Sequence, residues 1–252
     1  MFQTSTETDR IKSLARSAMY KLLAKSFLHP CQETFDFIQS PQYEECLAEY
    51  LSSHEVSEDL QSAIRSLHAT ESIWRSTQTR EHLEKEYTRL FAHLGSAKCP
   101  PYETEYGHDN VFQKTEAMAD IAGFYNAYGL DVSTVNADRV DFLSMELEFM
   151  SYLSLHEAYA LEHEEKDHLA ICVDTQQKFL RDHLARWVTI FSQILAKSTV
   201  NPFYRQLAIV TEQFLDAEVI RLGVTLEKVA APNKRDAGSP APFGCNDCVT
   251  TP

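Results

Sequence analysis

The chain contains 252 residues, with 23 Lys and Arg against 37 Asp and Glu, so its formal net charge is −14. This acidity argues against nucleic-acid binding, which needs clustered basic residues, and against docking on an anionic membrane surface. Only 7 glycines are present, whereas an average chain of this length has about 18. Because sheet-rich folds and glycine-loop nucleotide folds usually need more glycine, the composition favours an all-α fold.

Apolar residues recur at three- and four-residue steps along the first half of the chain, which predicts amphipathic helices. The predicted helices of this half span 11–27, 34–38, 41–51 and 57–94. The first ends before Pro30, which cannot continue a helix. The last is expected to break near residues 76–77 and to end at Gly95 as a C-cap.

One long irregular segment, 95–110, follows, since Pro100, Pro101 and Gly107 discourage a continuous helix. The helices predicted after it span 111–128, 137–163, 165–197 and 202–228. Asn136 or Asp138 can cap the second of these. That helix is apolar on nearly every face, which is typical of a buried central helix.

The order of these elements predicts one all-α domain of eight to ten helices over residues 1–230. Residues 231–252 are rich in Pro, Gly and Ser and have no periodic pattern, so we expect a mobile tail there. The N-terminus lacks a basic segment followed by an apolar one, which argues against a secretory signal. No apolar run approaches the roughly 20 residues of a membrane span, so the chain is expected to be cytoplasmic, without stable membrane insertion.

Two Glu-x-x-His pairs, Glu105/His108 and Glu165/His168, have the spacing that helical bundles use in di-metal sites. Neither lies in an apolar stripe, which a pair of helical ligands should do. A metal-dependent oxidoreductase is therefore kept as an alternative function. No phosphate-binding glycine loop, HExxH or GxSxG motif is present, and no cofactor is predicted.

The tail contains one Cys-x-x-Cys motif, Cys245 and Cys248, which can be a redox pair or half of a zinc site. No second such pair accompanies it, so a passive tail is the simpler interpretation. A metal-responsive interaction protein that uses these two cysteines remains a second alternative.

The most unusual segment joins a helix that ends in Tyr87-Thr88-Arg89-Leu90-Phe91 to the loop sequence Cys99-Pro100-Pro101-Tyr102-Glu103-Thr104-Glu105-Tyr106-Gly107. The simple interpretation is a core helix end and a connecting loop. The functional interpretation is an apolar groove with an acidic rim of Glu103, Glu105 and Asp109. Such a groove would suit a peptide in which basic residues adjoin an apolar run.

These motifs resemble the TorD/DmsD/NarJ family of redox-enzyme maturation chaperones. The aromatic-x-x-Leu-Phe helix end with its Pro-Pro-Tyr-Glu loop carries the first match. The acidic segment Asp138-Arg139-Val140-Asp141-Phe142-Leu143, which opens the next long helix, carries the second. The chain departs from the family at Phe142, where many members have His. A polar or pH-sensitive role of that His therefore does not transfer to this chain.

The resemblance implies a chaperone that is not an enzyme. It would bind the apo catalytic subunit of a molybdenum-containing oxidoreductase of the dimethyl-sulfoxide-reductase type, or its twin-arginine leader, until the cofactor is inserted. The loop favours the branch that serves nitrate-reductase-like enzymes, including those for selenate, chlorate, dimethyl sulfide or ethylbenzene. A homo-oligomer is left open. The client-binding residues predicted in this way are Tyr87, Leu90, Phe91, Pro101, Tyr102, Glu103, Glu105, Tyr106 and Asp141.

Overall fold

The computed structural model describes residues 5–53, 56–77, 79–91, 98–107, 110–130 and 139–227. Within these residues it contains ten α-helices and no β-strand, which confirms the predicted all-α fold. The helices are α1 (Ser5–Ser26), α2 (Gln32–Ile38), α3 (Pro41–Ser53), α4 (Glu58–Thr77), α5 (Arg80–Phe91), α6 (Val111–Ala127), α7 (Leu143–Glu162), α8 (Lys166–Phe179), α9 (Ala185–Ser198) and α10 (Pro202–Leu222). The predicted tail, 231–252, with Cys245 and Cys248, lies outside the described residues.

Helices α1 and α7 form the most extensive contact of the fold. At its centre the hydroxyl groups of Ser17 and Ser151 each donate to the backbone carbonyl of the other residue, at 2.8 Å in both directions. Small side chains at these two positions let the helix backbones approach closely, and the exchanged hydrogen bonds satisfy both hydroxyls. Helix α10 packs against α9 and α4.

Three helix boundaries differ from the predictions by six residues. Helix α1 begins at Ser5 and not at residue 11, and the other two differences have a local reason. Helix α7 begins at Leu143 and not at residue 137, because Asp141 and Phe142 pair with the loop 98–107 instead of joining the helix. Asn136 and Asp138, the predicted caps, lie outside the described residues. Helix α10 ends at Leu222 because Gly223 adopts a left-handed conformation with a φ of 64°, which terminates a helix.

The helix predicted over 165–197 is interrupted by a π-helical turn at Leu180–Leu184. The wider turn joins α8 to α9 and buries the side chains of Leu180, His183 and Leu184. Turns of this kind are frequent at functional sites, where they redirect a side chain. Here the turn lies beneath the loop 98–107, because His183 contacts Glu103 in that loop.

The all-round apolar pattern of α7 predicted a helix that is buried on every side, but the structure leaves one side exposed. It packs between α1 and α8, but Leu155 is 50% exposed and Tyr159 is 48% exposed on its outward face. The expectation of a fully buried helix was wrong at this face. Among the described residues, no helix is both long and apolar enough to cross a membrane.

Candidate functional site

The loop 98–107 is fastened to the start of α7 by an isolated antiparallel bridge between Tyr102 and Phe142. The Glu103 N–H donates to the Asp141 carbonyl, and the Leu143 N–H donates to the Pro101 carbonyl, each at 3.0 Å. The two segments that carry the family motifs therefore meet as one unit.

Asp141 lies inside this unit and is fully buried. Its Oδ2 accepts from the Thr104 N–H at 3.1 Å and from the Thr104 hydroxyl at 2.8 Å. The Arg139 guanidinium donates to both carboxylate oxygens, at 2.9 and 2.7 Å. A carboxylate with these partners has no free face for a ligand's arginine. The prediction that Asp141 receives the arginines of a peptide was therefore wrong, and its observed role is to hold the loop in place.

Glu103 and Glu105 are also already paired. Glu103 is 3% exposed, and the His183 Nδ1 lies 3.2 Å from both of its carboxylate oxygens. Glu105 is more exposed, but its Oε1 lies 3.0 Å from the Lys114 Nζ and 3.5 Å from Arg139 Nη1. The predicted open acidic rim is therefore absent at these two residues, and Asp109 lies outside the described ones.

Below Glu103, a third carboxylate belongs to the fully buried Glu146 of α7. The Trp187 Nε1–H donates to its Oε2 at 3.1 Å, while no donor among the described residues reaches Oε1. Burial, together with the neighbouring charges of Glu103 and Asp141, raises the pKa of Glu146 well above the usual 4.5. Glu146 therefore holds a proton in the folded protein under conditions in which the unfolded chain has released it.

Replacing Glu146 with Gln is expected to stabilise the protein at pH 7. A raised pKa stabilises the folded state fully below pH 4.5, and this contribution is lost as the pH rises toward the folded-state value. An amide resembles the protonated carboxyl and needs no proton, so the urea midpoint should rise at pH 7 and change little at pH 4. Glu148→Gln, an exposed change on the same helix, is the control. A urea midpoint for Glu146→Gln at pH 7 that is equal to or lower than that of the wild type would contradict the conclusion that Glu146 is protonated in the folded protein.

Four of the predicted apolar site residues belong to the core. Leu90 is 0% exposed, Tyr106 is 1% exposed and Phe91 is 6% exposed; Pro101 is also buried. The Tyr106 ring packs 5.1 Å from that of Trp187. The prediction that these side chains line an open groove was wrong, because the chain folds back and covers them.

Tyr87 and Tyr102, by contrast, remain half-buried and are brought together at an open pocket of about 320 Å³. Phe142, the residue that replaces the family's His, forms part of the same wall, with its ring centre 5.5 Å from that of Tyr102. The residues that line the pocket are Lys25, Leu28, His29, Cys31, Glu33, Thr34, Phe37, Tyr87, Tyr102 and Phe142. Seven of these come from the end of α1, from the turn that follows it and from α2, which sequence reasoning did not connect with the site.

The pocket has aromatic walls with cationic groups packed on them. The Lys25 Nζ lies 4.7 Å from the centre of the Phe37 ring, and the Arg139 guanidinium lies 4.4 Å from that of Tyr102. On the rim, a hydrogen bond with the Thr34 hydroxyl lowers the pKa of the exposed Cys31 thiol. The rings of Phe37, Tyr87, Tyr102 and Phe142 give the pocket apolar walls. Such walls suit an apolar side chain of a bound polypeptide.

The described residues do not gather a metal centre. Glu165 and His168 contact each other on the surface, with the His168 Nδ1 3.0 Å from the Glu165 Oε2. His108, the partner of Glu105 in the other pair, lies outside the described residues. In the part of the chain that the structure describes, no three His, Cys, Asp or Glu side chains are placed to hold a metal ion.

The described residues thus form an all-α protein whose candidate site is an aromatic pocket built from four separate segments. The nitrate reductase delta subunit family matches residues 53–193. This is more than half of the chain, and the chain belongs to this family of NarJ/TorD-type chaperones. The perchlorate reductase assembly chaperone protein of Dechloromonas aromatica (strain RCB) is 25% identical over 211 residues, which are 82% of this chain and 90% of the relative. Family and relative together indicate an assembly chaperone for a molybdoenzyme.

Proposed function

We propose that this protein is a cytoplasmic chaperone for a molybdenum-containing oxidoreductase of the dimethyl-sulfoxide-reductase type. It binds the apo catalytic subunit, assists cofactor insertion and assembly, and releases the enzyme before export. The chaperone performs no catalysis and carries no cofactor of its own. Membership in a chaperone family and the similarity to a perchlorate reductase assembly chaperone support this function.

The pocket between α1, α2 and the loop 98–107 is the observation that carries the proposal. Its aromatic walls include Tyr87 and Tyr102, which stay partly accessible although Leu90 and Phe91 of the same motifs are buried. Burying a large apolar side chain contributes about 1.5–3 kcal/mol. One or two such side chains from an incompletely folded client would give an affinity that is high enough to retain the client and low enough to release it.

The client belongs to the nitrate-reductase-like branch of these enzymes under this proposal. The loop around Pro100 and Pro101 favours that branch, and the relative from Dechloromonas aromatica is named for a perchlorate reductase. A reductase of an inorganic oxyanion is therefore the client class that we expect. The client's twin-arginine leader is the second element that the chaperone binds, since a chain of net charge −14 attracts a cationic segment.

Replacing Tyr102 with Ala is expected to reduce the amount of apo catalytic subunit that co-purifies with the chaperone about tenfold, since a loss of about 1.4 kcal/mol corresponds to that factor. Tyr87→Ala should act in the same direction. The measurement is affinity purification of the tagged chaperone from anaerobic cells, together with the activity of the matured client.

Phe112→Ala is the matched control for these variants, because the Phe112 side chain is 87% exposed and does not line the pocket. Circular dichroism and urea midpoints should show that all three variants remain folded. Client recovery equal to the wild type in both tyrosine variants would overturn the pocket as the binding site.

A further inference from the structure

The outward face of α7 carries a row of large side chains that are exposed toward its C-terminal end and half-buried at Tyr152 and His156. Tyr152, His156, Tyr159 and His163 follow one another at helical spacing, with Leu155 beside them. The exposed fractions are 50% for Leu155 and 48% for Tyr159. On α8, Ile171 is 57% exposed, and His168 lies one turn before it. We call these seven residues the α7–α8 face.

Ring contacts hold this face in one arrangement. The ring centres of Tyr159 and His163 are stacked 4.0 Å apart, and those of Tyr152 and His156 are 4.3 Å apart. His168 of α8 joins the two pairs, at 5.5 Å from His156 and 6.3 Å from Tyr159. A surface that is ordered before binding loses little conformational entropy when a partner arrives.

Exposed carboxylates surround the face. Glu148 and Glu162 lie on α7, Glu164 lies in the turn, and Asp167 and Asp174 lie on α8. Nearby cations are few and mostly engaged. The Lys178 Nζ lies 2.7 Å from the Asp174 Oδ2, and the Arg10 Nη2 lies 2.8 Å from the Glu7 Oε1, while Lys166 is exposed. A second copy of the chain would bring the same negative fringe against this one, which disfavours self-association.

The charge and the exposed apolar area point to one kind of occupant, a segment in which arginines adjoin an apolar run. An export leader combines a positive segment with an apolar run of about 7–15 residues. Guanidinium groups also stack on aromatic rings, which the tyrosines and histidines offer here. Glu103 and Glu105 of the predicted acidic rim, and the predicted contact Asp141, are already paired within the chain.

We propose that the α7–α8 face binds the twin-arginine leader of the client, while the pocket at Tyr87 and Tyr102 binds the body of the catalytic subunit. The inference rests on the proposed function, since that function supplies the leader. Each of the two sites recognises a different part of the client. The face holds the exported end of the client, and the pocket holds the part that receives the cofactor.

Titration calorimetry of the full chaperone with a synthetic peptide tests this assignment. The peptide has about 25 residues, with an Arg-Arg pair followed by an apolar run. Binding should weaken as salt rises, and a peptide with Gln in place of both arginines should bind about tenfold more weakly. Ile171→Ser should also weaken binding about tenfold, whereas Ile220→Ser, an 80% exposed isoleucine on α10, should leave it unchanged.

Two double variants that change the net charge equally test the contribution of the acidic residues to peptide binding. Glu162→Gln with Asp167→Asn should weaken binding, whereas Glu45→Gln with Glu49→Gln, exposed changes on α3 that alter the net charge equally, should not. Absence of peptide binding, or equal affinity in Ile171→Ser and the wild type, would overturn the inference. So would a dimer in sedimentation that Ile171→Ser dissociates, because the face would then be a contact between copies. If the catalytic subunit still co-purifies in a Tyr102-dependent manner, the proposed function stands while this inference fails.

Discussion

Replacing Glu157 with Ala is expected to lower the free energy of unfolding by about 3–5 kcal/mol, the usual cost of removing one partner from a buried ion pair. Glu157 of α7 is 7% exposed. Its Oε1 accepts from the Arg16 Nη2 at 2.7 Å, and its Oε2 accepts from the Gln176 amide at 2.8 Å. Because Arg16 is 4% exposed, the variant would leave a buried guanidinium whose remaining counter-charge is Glu218, with the Glu218 Oε2 4.0 Å from the Arg16 Nε. Urea unfolding followed by circular dichroism measures the change.

The pH dependence of this effect has a defined sign. Burial alone would raise the pKa of Glu157, but the charges of Arg16 and Arg221 and the hydrogen bonds from Gln176 and Arg16 lower it below 4.5. A lowered pKa stabilises the folded state above pH 4.5, and this contribution disappears as the pH falls through the folded-state value. The gap between the wild type and Glu157→Ala should therefore narrow in acid.

Asp174→Ala is the control for this prediction, because it removes an exposed ion pair with Lys178. It should change the stability by less than about 0.5 kcal/mol. If Glu157→Ala fails to fold, Glu157→Gln is the alternative, since it keeps the shape of the side chain and removes only the charge. The decrease in its free energy of unfolding then measures the contribution of the charge. A cost for either Glu157 variant no larger than that of Asp174→Ala would show that the buried network does not stabilise the fold.

Replacing Leu90 with Ala should destabilise the protein by about 3 kcal/mol, since it removes a fully buried side chain and leaves a cavity. Leu90 lies in α5, one turn beyond Tyr87, and the family motif includes both residues. The two should nevertheless behave differently. Tyr87→Ala should reduce client recovery with a smaller loss of stability, because the Tyr87 ring is half-buried and lines the pocket.

Comparing these two variants separates a core role from a binding role within one motif. The urea midpoint of each purified variant is measured beside the recovery of the apo catalytic subunit. Should Leu90→Ala keep the wild-type midpoint while losing the client, Leu90 would contact the client directly, and the placement of this side chain in the core would be contradicted.

The loop motif and the motif at the start of α7 are close in space because their polar residues bind each other. Asp141 binds the loop through Thr104, and Arg139 covers both groups. The polar residues of the motifs mainly hold the loop against α7, and the partly exposed rings of Tyr87 and Tyr102 are left at the pocket. This division is consistent with a rigid scaffold that presents a small apolar site.

The helix periodicity was sufficient to place most of the helices. The spacing of apolar residues predicted α6 closely, and it predicted the end of α1 before Pro30, although α1 begins six residues earlier than expected. The π-helical turn at Leu180–Leu184 could not be predicted in this way, because apolar residues continue through it without a break. Gly223 is a local signal for the early end of α10, but the apolar pattern continues beyond it and favours a longer helix.

The amino-acid sequence by itself determined that this protein is all-helical and acidic, and which family it belongs to, because periodicity, charge and motifs are local properties of the chain. Only the tertiary structure decided which motif residues are accessible. Burial depends on contacts between segments far apart in sequence, such as α1 and α2 with Tyr102 in the pocket. The tertiary fold buries Leu90, Glu103 and Asp141 and leaves Leu155, Tyr159 and Ile171 facing outward. The sequence cannot distinguish these cases, because an apolar residue gives the same pattern whether or not another segment covers it.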